Sequence, residues 1–146
     1  MNKAPVEIVF IEDNKYDVEL TLRALKKNNL SNNILVLEDG EKALNYFYAK
    51  GKFQNRNIEE KPKLILLDLK LPKVNGLDVL KKIKSDERTK IIPIVILTSS
   101  KEEKDIIESY KLGVNSYIVK PVDFNKFVEA VGQVGLYWLL LNEVSW

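Results

Sequence analysis

Four apolar runs each end on side chains that could do chemistry. Glu12 and Asp13 follow Val6–Ile11, Asp68 follows Leu64–Leu67, Thr98 follows Ile94–Leu97, and Lys120 follows Ser116–Val119. Three carboxylates in one pocket repel one another, and their pKa values rise unless a cation joins them. A small hard cation such as Mg²⁺ takes oxygen ligands and keeps several waters; its usual partners are one or two carboxylates and phosphoryl oxygens. Lys120 adds a compact point charge suited to a carboxylate or a phosphoryl oxygen, and Thr98 adds a short hydroxyl donor. The chain has no Cys and no His. Disulfides, thiolate metal sites, Cys nucleophiles, His-dependent hydrolase triads and most catalytic zinc sites are thereby excluded. Of what remains, the Asp68 carboxylate is the natural nucleophile, and carboxylates do form phosphoryl-aspartate intermediates. The chemistry implied is Mg²⁺-assisted phosphoryl transfer onto Asp68. Taken singly, each residue has a plainer reading: Asp68 opens a loop, Glu12-Asp13 caps the first helix, Lys120 is a surface lysine. Their joint placement, each past a different strand, argues for one shared acidic site.

That placement depends on the elements. Val6–Ile11, Ile34–Leu37, Leu64–Leu67, Ile94–Leu97 and Ser116–Val119 read as strands. Leu64–Leu67 is apolar at every position, as a parallel strand covered on both faces must be. Helical spacing of apolar residues predicts helices near 16–29 (Val18, Leu22, Leu25), 41–49 (Ala43, Leu44, Phe47) and 76–84 (Leu77, Leu80, Ile83). Asn75 is placed to cap the third of these. Ser100 and Glu103 form a capping-box pattern for a fourth helix ending near Leu112, with Gly113 as its C′ residue. Asp123 can cap a fifth, which opens with Phe124, Phe127, Val128 and Val131. Strand and helix therefore alternate five times. The fold class is α/β, a doubly wound five-stranded parallel sheet with five helices, and sites in such sheets lie outside the carboxyl ends of the strands. The polar stretch Gly51–Lys63 reads as a surface loop, either a plain insertion or a partner surface.

The chain of 146 residues is one domain in size, with 23 Lys+Arg against 21 Asp+Glu and a formal charge of +2. So even a balance disfavours a dedicated nucleic-acid binder. No apolar run approaches the length of a membrane helix, and residues 1–5 lack the pattern of a signal peptide. A cytoplasmic location is the default, with no membrane contact expected.

The segments FIEDN at 10–14, LILLDLKLPKVNGLDVL at 64–80, PIVILTSS at 93–100 and YIVKP at 117–121 resemble the receiver domain of two-component response regulators. The likeness runs from about Glu7 to Val131, and the spacing of Asp13, Asp68, Thr98 and Lys120 agrees with it, the first interval lengthened by the Gly51–Lys63 loop. The resemblance implies a CheY-like, flavodoxin-like fold with strand order 2-1-3-4-5. It implies that Glu12 and Asp13 bind Mg²⁺, Asp13 directly and Glu12 through water, and that the Lys70 backbone carbonyl is a further ligand. It makes Asp68 the phosphoacceptor, Thr98 the switch hydroxyl, Tyr117 the switch aromatic that rotates inward, and Lys120 the partner of the phosphoryl oxygen. Ser99 matches a position that prefers small residues, and Lys120-Pro121 a peptide bond that is usually cis. Glu12 departs mildly from the commoner Asp, keeping the charge and adding a methylene. Lys70 and Ser100 occupy positions that tune loss of the phosphoryl group.

More narrowly, the long loop, the 109–124 run and Tyr137-Trp138 resemble stand-alone receivers partnered with bacterial phytochromes. The implied function is a single-domain response regulator, residues 1–146, that takes its phosphoryl group from a sensor histidine kinase. It would signal by protein contact, with no DNA-binding module. It would not be an enzyme in its own right. The alternatives are a receiver-like scaffold that is not phosphorylated, or an aspartyl-phosphate-forming hydrolase, which would need a cap that the short loops at 12–15 and 69–75 do not supply. Residues 132–146 form a C-terminal extension. Its run VGLYWLLL (134–141) is apolar nearly all round, so it packs on another surface, folds back or stays disordered in the monomer. The favoured use is a homodimer through the helix 4–strand 5–helix 5 face and this tail.

Overall fold

The computed structural model describes residues 5–27, 33–121, 123, 125–127 and 129. The element order is β1 (Ile8–Ile11), α1 (Lys15–Lys27), β2 (Ile34–Leu37), α2 (Gly40–Phe47), β3 (Leu64–Leu67), α3 (Gly76–Ser85), β4 (Ile94–Thr98), α4 (Glu103–Lys111) and β5 (Ser116–Val119). Residues 125–127 are helical, the start of the last helix. The sheet is parallel throughout, in the order β2-β1-β3-β4-β5.

Strand alternation divides the core in two. Val9, Ile11, Ile65, Leu67, Ile94 and Ile96 pack with Phe47, Val79, Leu80 and Ile83 of α2 and α3. Ile8, Phe10, Leu64, Leu66, Val95 and Leu97 pack on the other face with Leu25 of α1, Ile118 and Phe127. Both faces are thus covered, as the continuous apolar strands require. In register, Ile11 lies beside Leu37 and Leu67, and Thr98 beside Val119. The residues that follow therefore emerge along one edge.

Local caps mostly follow the sequence. Asp39 Oδ1 accepts from the Lys42 amide at 2.7 Å and Asn75 Oδ1 from the Asp78 amide at 3.0 Å. Gly113 ends α4 at φ +97, and Asp123 Oδ1 accepts from the Asn125 amide at 2.8 Å. The Ser100–Glu103 capping box does not form. The N-cap of α4 is Glu102, without a side-chain cap, and Ser100 Oγ instead donates to Asp105 Oδ2 at 2.6 Å. The helix starts two residues later than the pattern needs, so the amide that reaches the Ser100 oxygen is that of Glu102, at 3.4 Å, and not that of Glu103.

The stretch 51–63 opens with a 3₁₀ turn at Gly51–Phe53. Arg56 staples it: the guanidinium lies 3.9 Å from the Tyr46 ring centroid and donates to the carbonyls of Tyr46 at 2.9 Å and Glu60 at 2.6 Å. It shares a cavity with Pro5 and Val6, at the end of the sheet opposite Asp68. The expected extension 132–146 lies outside the described residues, as do Phe124, Val128 and Val131.

Candidate functional site

Glu12 follows the last residue of β1 and is buried; Asp13 beside it is exposed. The Asp68 amide donates to the Ile11 carbonyl at 3.0 Å, which ties the residue after β3 to the end of β1. Asn14 caps α1 by accepting from the Asp17 amide at 3.0 Å, so Glu12-Asp13 is not the cap. Glu12 Oε2 accepts from the Asn14 amide at 3.2 Å. Carboxylate oxygens of Glu12, Asp13 and Asp68 all lie within 4.8 Å of one another. Opposite ligands of Mg²⁺ at 2.0–2.1 Å span about 4 Å, so small side-chain adjustments bring this all-oxygen set to a hard divalent cation. Lys70 lies at the same edge, and its amide donates to Asp68 Oδ1 at 3.1 Å.

Gly76, at the start of α3, closes the 69–75 loop against this site. A Cβ there would stand 2.3 Å from the Asp68 carbonyl oxygen and 2.4 Å from the Leu69 Cα. The chain can pass this close to the phosphoacceptor candidate's backbone only without a side chain.

Lys120 arrives from the end of β5, its amide on the Thr98 carbonyl at 2.9 Å, and the Lys120-Pro121 bond is cis as expected. Its ammonium donates to Glu12 Oε1, to Asp17 Oδ2 at 2.9 Å and to Asp68 Oδ2 at 3.0 Å. Burial opposes the Lys120 charge, but hydrogen bonds to Asp17 and Glu12 and the charge of Asp68 outweigh it and hold the ammonium above its ordinary pKa. Burial pushes the Glu12 carboxyl up to about 7; Asp68 adds to the rise, and Lys120 pulls the other way.

Thr98 is the last residue of β4 and fully buried, with Oγ1 accepting from the Ser100 amide at 3.3 Å. Tyr117 is partly buried, and its hydroxyl donates to the Ser100 carbonyl at 2.9 Å. Burial, foremost, raises the Tyr117 pKa, so the phenol stays a donor. Tyr117 thus rests against the loop between β4 and α4 in this structure. Ser99 and Lys120 line a shared cavity of about 460 Å³ with Tyr16 and Asp17. The structure brings together Glu12, Asp13, Asp68, Lys70 and Lys120, with Thr98 and Tyr117 joined through Ser100 on the flank. Asp17 is the residue that sequence reasoning missed. Its one signal is an acid in the first turn of α1, which reads equally as a partner for the helix dipole.

The response regulator receiver domain family matches residues 8–132. The chain belongs to this family. Receivers are phosphoacceptors, and here the acidic cluster stands at the edge where that role requires it. This receiver is 51% identical to the bacteriophytochrome response regulator RtBRR, with a TM-score of 0.84 over 96% of this chain and 84% of that one. It is 48% identical to the bacteriophytochrome response regulator AtBRR, with a TM-score of 0.83 over 97% and 100%. It is also 37% identical over 135 residues to response regulator Rcp1 of Synechocystis sp., covering 92% of this chain and 90% of that protein. The structure of Rcp1 in its Mn²⁺-bound form superposes with a TM-score of 0.76 at 35% identity, over 97% and 98%. Among the described residues, no helix is long and apolar enough to cross a membrane.

Proposed function

We propose that this receiver takes a phosphoryl group onto Asp68 from a phosphohistidine of a sensor histidine kinase and signals by protein contact. The observation that carries the reading is the Lys120 ammonium, held 3.0 Å from Asp68 Oδ2 beside the convergent carboxylates. An Asp68 oxygen attacks phosphorus, the bond from phosphorus to the histidine nitrogen breaks, and the imidazole keeps the electron pair. Lys120 then exchanges its Asp68 contact for a phosphoryl oxygen. Asp13, Asp68 and the Lys70 carbonyl would hold Mg²⁺ directly, with Glu12 acting through water. The Mn²⁺-bound form of the relative Rcp1 supports a metal here. When bound, the cation neutralises charge on the phosphoryl oxygens. Thr98 gives up the Ser100 amide and donates its hydroxyl to the phosphoryl group, which biases the β4–α4 loop between two arrangements.

Likeness to RtBRR and AtBRR supports a bacterial phytochrome as the donor kinase. Homodimerisation through α4, β5, the last helix and the 132–146 extension is the proposed output. Ile107 and Tyr110 of α4, 45% and 49% exposed, offer apolar surface for it.

The test is acetyl phosphate with Mg²⁺ on wild type and Asp68→Asn, read by intact mass and light scattering. One phosphoryl adduct that needs Mg²⁺ and is absent from Asp68→Asn is the expected result. No adduct from this donor or from a panel of kinases would refute it.

A further inference from the structure

An ammonium has three protons to donate, and that of Lys120 gives them to three carboxylates from three elements. Glu12 follows β1, Asp68 follows β3, and Asp17 lies in the first turn of α1. Two of the three have a second task. Glu12 and Asp68, with Asp13, form the carboxylate cluster that fits a cation, and Asp17 stands outside it. The Asp17 side chain is also the most open of the three, 29% exposed against 0% for Glu12 and 6% for Asp68. Asp17 and Lys120 both line the cavity shared with Tyr16, Leu20, Ser99 and Pro121.

We propose that Asp17 is a positioning residue for Lys120, the anchor that keeps the ammonium aimed while Glu12 and Asp68 change partners. The inference rests on Asp68 being the phosphoacceptor. When Asp68 gains a phosphoryl group, the Lys120 Nζ must leave the carboxylate oxygen for a phosphoryl oxygen. At the same stage Glu12 is shared with the cation. A lysine on a flexible four-carbon stem, without a fixed contact, spreads over many positions. Drawing it back into line at the transition state costs rate, because only a group already in place contributes fully. The Asp17 contact, 2.9 Å and charge-assisted, depends on neither the cation nor the phosphoryl group. Asp17 makes and breaks no covalent bond and moves no proton in this role.

The experiment compares wild type, Asp17→Ala, Asp17→Asn and Asp17→Glu. Phosphorylation rate is measured with acetyl phosphate at saturating Mg²⁺, Mg²⁺ affinity by calorimetry, and stability by urea unfolding. We expect Asp17→Ala to slow phosphorylation on the order of ten-fold, with Mg²⁺ affinity kept within about two-fold. Asp17→Glu should recover most of the rate and Asp17→Asn only part, since Asn keeps an acceptor but loses the charge. An unchanged rate in Asp17→Ala overturns the proposal. So does a loss of rate that tracks weakened Mg²⁺ binding or unfolding, or one that Asp17→Glu does not repair. A second readout needs no phosphorylation: exchange of the Lys120 ammonium protons, followed by NMR on lysine-labelled protein. Faster exchange in Asp17→Ala supports the anchor, and unchanged exchange overturns it. Absence of the phosphoryl adduct in wild type would refute the Asp68 reading by itself, while the exchange measurement still decides whether Asp17 holds Lys120.

Discussion

Glu12 has the most consequential titration at the site. Its carboxyl is pushed up to about 7 from an ordinary 4.5, chiefly by burial and despite Lys120. A group that holds its proton more tightly folded than unfolded stabilises the fold below its unfolded pKa. That contribution is lost as pH rises through about 7 in the metal-free protein. Mg²⁺ competes with the same proton. Apparent Mg²⁺ affinity should therefore rise about ten-fold between pH 6 and 8, where proton release is nearly complete. Calorimetric titrations at the two pH values check this, and Glu12→Gln should flatten the dependence. The Glu12 position was legible because it follows a strand. Its burial was not, since nothing in FIEDN says that the second carboxylate turns outward while the first turns in.

The loops between elements set the geometry that those residues use. The 69–75 loop is pinned at both ends, by the Lys70 amide on Asp68 and by the Gly76 amide on the Leu69 carbonyl at 2.8 Å. Gly76→Ala places a methyl against backbone that cannot swing away. We expect a loss of at least about 2 kcal/mol, read by urea denaturation, together with slower phosphorylation because the Asp68 backbone is displaced. The β4–α4 loop is held differently, by Ser100 through Thr98, Asp105 and Tyr117. Asp105→Ala removes a charge-assisted contact and should cost about 1 kcal/mol or somewhat more. It should speed amide exchange across residues 102–106, which hydrogen-exchange mass spectrometry reads directly. The helices themselves were legible from apolar spacing. The failed capping box was not, because where α4 starts, and so which amide faces the Ser100 oxygen, depends on how the loop turns over β4.

At the scale of the molecule, two cores on either side of one sheet hold the site edge rigid. Phe127 is buried against the face carrying Leu66, Val95 and Ile118, so Phe127→Ala should cost about 3–5 kcal/mol. The drop in urea midpoint measures it. Deleting residues 132–146 should leave Asp68 phosphorylation intact and abolish the proposed dimer, a result that light scattering with and without acetyl phosphate checks. Amino-acid order alone determined the alternation of strands and helices, since strands buried on both faces must be apolar at every position. It also determined which polar residues end those strands, and hence the Glu12, Asp13, Asp68, Thr98 and Lys120 set. Tertiary structure decided what contacts what. It split the apolar residues of β1, β3 and β4 between two cores, tied Thr98 and Tyr117 to one loop through Ser100, and brought Asp17 to Lys120 across 103 residues of chain. Periodicity and composition are local properties, whereas an ion pair between α1 and the end of β5 exists only once the sheet has set both beside the same edge.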